Sequence, residues 1–82
     1  MDAQCRKAYV SVNVDIDEEG AMQPRAIRWK NGHSFRIERV LYKCRAFSNK
    51  VGGGGIRYTV QIHGQEKYLF CEGNKWFVEA RA

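Results

Sequence analysis

The sequence predicts an all-β protein, a small antiparallel meander of five to six strands closed into an SH3-like or Tudor-like barrel. Three observations carry this expectation. Apolar and polar residues alternate along several short segments, as half-buried strands require. Turn residues interrupt the chain at roughly ten-residue spacing, and no segment shows the helical period of about 3.6 residues. A chain of 82 residues has material for one domain with one small core. Residues 1–7 read as a frayed end and residues 8–82 as the barrel.

The first strand is the clearest: Ala8, Val10, Val12, Val14 and Ile16 alternate with Tyr9, Ser11, Asn13 and Asp15. Asp17, Glu18, Glu19 and Gly20 break the pattern. Pro24 stands at the start of the next apolar segment, where its missing donor costs least, and Ile27 and Trp29 continue it. Asn31-Gly32 then signals a hairpin in which both positions tolerate positive φ, with the returning strand beginning near His33. Phe35 and Ile37 hold one phase. From Arg39 the phase shifts by one, so that Val40, Tyr42, Cys44 and Ala46 take the opposite parity, which a bulge near Glu38 or Arg39 explains.

Ser48 to Gly55 contains four consecutive glycines and reads as a hairpin tip. No G-K-[ST] follows, and the next segment reads as strand, so the loop is not a phosphate-cradling P-loop. Ile56, Tyr58, Val60 and Ile62 form a strand with a polar outer face. His63-Gly64-Gln65-Glu66 turns it into Lys67–Glu72, and Gly73-Asn74 turns the chain again into Lys75–Glu79. Trp29, Phe35, Tyr58 and Trp76 are the expected aromatic core, each able to bury about 150–250 Å². Tyr9, Phe77 and Phe47 lie on the opposite parity and are expected to be available to stack bases or grip a peptide.

Apolar residues make up 44% and charged residues 28% of the chain, close to soluble globular averages. There is no apolar run long enough to span a bilayer and no signal-peptide pattern, so the expectation is a cytoplasmic protein without membrane contact. The three cysteines include no C-x-x-C pair, which points to a reducing compartment; Cys44 and Cys71 lie in apolar patterns as small hydrophobes. A metal site drawn from Cys44, Cys71, His33 and His63 lacks ligand spacing, and Asp15-x-Asp17-x-Glu19-Gly20 lacks the glutamate and helices of a calcium loop. No metal or cofactor is expected. His33 and His63 flank turns, no nucleophile is spaced beside a base, and the protein is expected not to be an enzyme.

Charge is distributed unevenly within a net +5. Residues 1–20 carry a net −3, residues 21–57 a net +8, and residues 58–82 balance. A middle segment so one-sided creates a field that attracts polyanions. On the Asn31-Gly32 hairpin, Arg25, Arg28, Lys30 and Arg36 are expected to point away from Ile27, Trp29, Phe35 and Ile37 as a cationic stripe. Arg39, Lys43, Arg45 and Arg57 extend it. The expected partner is therefore the phosphate backbone of DNA or RNA, read without base specificity, since no RNP-type aromatic motif is present. The alternative is a protein-interaction module, in which the edge of the first strand, or a groove lined by Tyr9 and Phe77, takes a partner strand, an acidic peptide or a second copy of the chain.

The stretch Pro24-Arg25-Ala26-Ile27-Arg28-Trp29-Lys30-Asn31-Gly32-His33-Ser34-Phe35-Arg36-Ile37-Glu38-Arg39-Val40 resembles a small bacterial β-domain family of unknown function. Similar segments occur in stand-alone Firmicutes proteins and near the C-termini of some actinobacterial translesion-type DNA polymerases. Arg57-Tyr58-Thr59-Val60, Tyr68-Leu69-Phe70 and Trp76-Phe77-Val78-Glu79 fit the same rhythm. The resemblance covers most of residues 24–79 and implies the β-barrel fold; residues 1–23 lie outside it.

Overall fold

Alternation along the chain produces strands with one buried face, and those faces must be brought together. The structure, a computed structural model, describes residues 5–47 and 54–81. It contains seven strands: β1 (Cys5–Ile16), β2 (Met22–Arg28), β3 (Ser34–Arg36), β4 (Arg39–Phe47), β5 (Gly54–Ile62), β6 (Gln65–Glu72) and β7 (Lys75–Arg81). All pair antiparallel in one curled sheet, a half-barrel, in the order β3-β2-β1-β7-β6-β5-β4. The count exceeds the expected five to six because the hairpin's return leg is a separate three-residue strand, β3. The pairing is that of a meander except for β1 with β7, which joins the two ends of the chain. Residues 5–7 accordingly belong to β1, with Lys7 opposite Glu79, and are no frayed end; residues 1–4 lie outside the described residues. So does the glycine loop, apart from Gly54 and Gly55 in β5.

Local chemistry sets each turn. Asp17 N donates to Ala21 O and Gly20 N to Asp17 O; Trp29 N donates to His33 O and Gly32 N to Trp29 O. Both are three-residue hairpin loops with glycine alone in the left-handed region, at φ 88° for Gly20 and 89° for Gly32. The Asn31-Gly32 turn thus differs from the expectation: Asn31 keeps negative φ and uses Oδ1 to accept from His33 N at 2.9 Å. The tight turn with two positive φ values is instead His63-Gly64, at 52° and 73°, the type I′ pattern.

Two bulges decide which way side chains point. The first is at Arg25, since Asn13 pairs with Ala26 but Val14 with Pro24. Strict alternation would place Arg25 on the face of Ile27; the bulge turns it to solvent, while Pro24 and Ile27 stay buried. The second is at Leu41, between the Val40–Val60 and Tyr42–Thr59 pairs. The expected shift near Glu38 or Arg39 is present as well, since Ile37 and Val40 both face the core; the Leu41 bulge reverses the phase a second time, so Tyr42 points outward at 61% exposure, and Cys44 shares the outer face with Arg57.

The inner face holds Ile27, Ile37, Tyr58, Val60, Ile62, Leu69 and Cys71, with Val10, Val12, Phe35, Val40, Trp76 and Val78 packed against them. The four aromatics expected to pack together divide between two ends. Tyr58 lies against Trp76 at 5.4 Å between centroids, whereas Phe35 meets His63 edge-on at 6.1 Å. Ile16, at the end of β1, is 65% exposed. A second apolar layer covers the outer face of β6 and β7, where Phe70 and Phe77 stack at 4.9 Å and are fully buried.

Between β3 and β4 the chain makes a link of two residues. Ile37 N donates to Arg25 O on β2, and Glu38 N donates to Gln61 O on β5, both at 2.8 Å. The two edges of the sheet therefore meet at this link. Away from it, β2 and β4 diverge around a cavity of about 520 Å³ lined by Met22, Val40, Leu41, Tyr42 and Tyr58 among others.

Two stability measurements follow. A Cβ at Gly55 would lie 2.6 Å from the Cys71 carbonyl oxygen, so Gly55→Ala is expected to lower the denaturation free energy by about 1–3 kcal/mol, as overpacking does. Phe77→Ala is expected to cost about 3–5 kcal/mol, and more than Trp29→Ala, because Trp29 is only half-buried; urea titration of the three variants checks the order.

Candidate nucleic-acid interface

Register places the eight basic residues singled out in the sequence in four different environments. Arg28 pairs with Ser34 and Arg36 with Ala26, on the face opposite Ile27 and Phe35. The two arginines are thus diagonal neighbours on adjacent strands, about 7–8 Å apart at the backbone. Lys30 is exposed in the turn that joins their strands. Arg39 pairs with Gln61, again opposite the buried Val60, so it emerges on the outer face just beyond the link. Arg39 is three positions after Arg36, so their Cα atoms are at most about 11 Å apart.

The other four are engaged elsewhere. Arg25 Nε donates to Asp15 Oδ2 at 2.7 Å on the surface. Lys43 pairs with Tyr58 and Arg45 with Ile56, so both rise from the inner face at the sheet edge; Lys43 Nζ lies 6.0 Å from the Tyr58 ring centre. Arg57 sits between Cys44 and Phe70 on the outer face. Its guanidinium carbon is 4.4 Å from the Tyr68 ring centre, and its Nε is buried without a hydrogen-bond partner. Stacking on an aromatic ring is one of the environments that suits arginine better than lysine.

Among the described residues, Arg28, Lys30, Arg36 and Arg39 have no carboxylate within ion-pairing distance, whereas Lys7 pairs with Glu72 and Arg25 with Asp15. These four exposed cations occupy the outer side of β2 and β3, the turn between them and the start of β4. Glu38, the one carboxylate in this part of the chain, is turned aside: its Oε1 accepts from Gly64 N at 3.1 Å. The acidic turn at residues 15–19 is likewise occupied by its own backbone, with Asp17 Oδ1 accepting from Glu19 N and Ala21 N.

The structure corrects the expected aromatic groove. Phe77 is on the outer face but has no exposed surface. Phe70 stacks on it, Tyr9 meets it edge-on at 6.0 Å, and Lys7 Nζ lies 5.1 Å from its ring centre. Tyr9 is itself engaged: its hydroxyl donates to Glu72 and Lys75 Nζ lies over its ring. Glu72 also holds the Lys7 ammonium, raising its pKa above the ordinary value, chiefly through that hydrogen bond. β1 is paired on one side along each half, residues 5–10 with β7 and residues 11–16 with β2, so among the described residues the other side of each half carries no partner strand. The side chain of Phe47 lies outside the described residues.

Sequence reasoning missed the outward aromatic pair. Tyr42, Thr59 and Tyr68 form one cross-strand row on the outer face of β4, β5 and β6. Thr59 is 8% exposed beneath it, whereas Tyr42 and Tyr68 are 61% and 47% exposed.

The cysteines behave as interior groups. Cys71 is buried, which pushes its thiol pKa up, and its Sγ donates to Gly73 O; burial also raises the pKa of the neighbouring Tyr58. Cys44 is half-buried and neither is in a disulfide. Among the described residues no three His, Cys, Asp or Glu side chains stand close enough together to hold a metal ion. The described residues include no helix long and apolar enough to cross a membrane.

Comparison of the chain with protein families, with curated proteins and with solved structures finds no match.

Proposed function

We propose that this is a non-enzymatic module that binds the phosphate backbone of a nucleic acid through Arg28, Lys30, Arg36 and Arg39. The observation that carries the reading is the gathering of these exposed cations, free of carboxylate partners among the described residues, on one outward face that spans the β3–β4 link. A cation paired to a neighbouring carboxylate has little left to offer a phosphate; an unpaired one releases the phosphate's counterions on contact. Lys43, Arg45 and Arg57 play no part in this face, and Arg25 contributes only when it leaves Asp15. The same reading takes the half-barrel as an open form of the SH3-like arrangement, supported by the two hydrogen bonds that tie the link to β2 and to β5.

A second reading is favoured by the edge of β4, which among the described residues pairs only with β5 and carries the exposed Leu41. An unpaired ladder edge accepts a partner strand. Arg39, Lys43 and Arg45 on that strand oppose self-pairing of two copies and favour an acidic segment.

The test is a titration of short single- and double-stranded oligonucleotides by fluorescence anisotropy between about 50 and 200 mM salt, the range over which phosphate contacts weaken steeply. For Arg28→Ala with Arg36→Ala, affinity is expected to fall and the log–log salt slope to shrink by about 1.4–1.8, the value for two phosphate contacts. The melting temperature should be unchanged, since both side chains are exposed. Equal affinity in the double variant would remove this face from the account.

A further inference from the structure

Resting on the phosphate-binding reading, we infer that the protein discriminates in favour of single-stranded nucleic acid by stacking unpaired bases on Tyr42 and Tyr68. A duplex presents phosphates but hides its base faces; only a single strand offers both phosphates and π-faces to the same surface. The outer face has the two kinds of contact side by side. Arg39 and Tyr42 are successive outward residues of β4 on either side of the Leu41 bulge, paired with Gln61 and Thr59 of β5. The cations Arg28, Lys30 and Arg36 lie across the two-residue link from Arg39.

The tyrosines are built as platforms. They stand on β4 and β6 with only Thr59 between them, so two strand spacings put their backbones about 10 Å apart. That separation leaves room for a base against each ring. Tyr68 is held from one side by the Arg57 guanidinium, 4.4 Å from its centre. Such a contact fixes a ring whose residue stays 47% exposed, and a ring already held loses little freedom when a base arrives. Tyr42 is the most exposed tyrosine among the described residues. It is outward only because the bulge at Leu41 reverses the phase of β4; without the bulge it would join the core. Glu66, opposite Gln61 on the β6 side, repels phosphate there, so the backbone follows the β4 side past Arg39.

Stacking of this kind tolerates any base and separates strandedness from sequence. The probes are oligothymidylate, oligouridylate and a short DNA duplex, titrated at low salt against the wild type, Tyr42→Ala, Tyr68→Ala and the corresponding phenylalanine variants. The wild type is expected to prefer the single strands. Each alanine variant should lose about five- to a hundredfold in single-strand affinity, with duplex affinity and salt slope unchanged, and each phenylalanine variant should restore it. A preference between the two homopolymers then says whether DNA or RNA is the better ligand. Equal binding of duplex and single strand, or alanine variants that bind single strands like the wild type, would overturn the stacking platform and leave the phosphate face standing. Absence of binding to any probe at low salt would overturn both.

Discussion

Two backbone hydrogen bonds from consecutive residues, Ile37 N to Arg25 O and Glu38 N to Gln61 O, reach β2 and β5, the second strand from each end of the same sheet. Because β3 and β4 are joined by only these two residues, the sheet must curl far enough to present β2 and β5 to one short piece of chain. The curl encloses Ile27, Ile37, Val60 and Ile62. The bulge at Arg25 belongs to the same constraint, since its carbonyl is the acceptor for Ile37 and its side chain is released to solvent. The link also sets the surface. Arg36 leaves the inner face just before it and Arg39 just after, so outward cations on β3 and β4, at opposite ends of the strand order, become neighbours in space.

The second feature that shapes the molecule is that β6 and β7 are apolar on both faces. Leu69, Cys71 and Trp76 serve the inner core, while Phe70 and Phe77 form a parallel stack on the outside. Such an aromatic pair adds about 0.5–1.5 kcal/mol to the burial of its surface. Cationic side chains finish that layer: Lys7 lies over Phe77, Lys75 over Tyr9 and Arg57 over Tyr68. Their apolar stems cover ring surface while their charges stay near water. Positive charge in this protein therefore has two uses. One set is committed to aromatic packing, and another, centred on Arg28, Arg36 and Arg39, is left without protein partners among the described residues.

Much of this architecture was legible in the sequence, and the misses share a cause. Alternation located β1, β2 and β5, apolar runs between turn residues located β6 and β7, and Gly20, Gly32, Gly64 and Gly73 marked the turns. Pro24 fits where it does because β3 pairs only with Ala26–Arg28 and leaves that part of β2 without a further partner strand. The phase shift near Glu38 and Arg39 was visible, but the second one at Leu41 was not, and it turned Tyr42 from a core residue into a surface one. The pairing of β1 with β7 brings together the first and last strands and leaves no local signature, so Phe77 looked like an open groove. For the surface, Arg28, Lys30 and Arg36 followed from alternation, and Arg39 from the phase shift read at that position. The roles of Arg57 and Tyr68 did not, because they meet only through the diagonal register of β5 and β6.

The central claim, that an anionic single strand lies across one outward face from β2 to β6, is tested most directly by mapping backbone amide shifts of the isotopically labelled protein as oligothymidylate is added. Shifts should concentrate at Arg28, Lys30, Arg36, Arg39, Tyr42 and Tyr68, with Tyr9, Phe77 and the acidic turn at residues 17–20 unmoved. Shifts confined to the unpaired edge of β4 or to the Tyr9 side of the sheet, or no shifts at low salt, would contradict it.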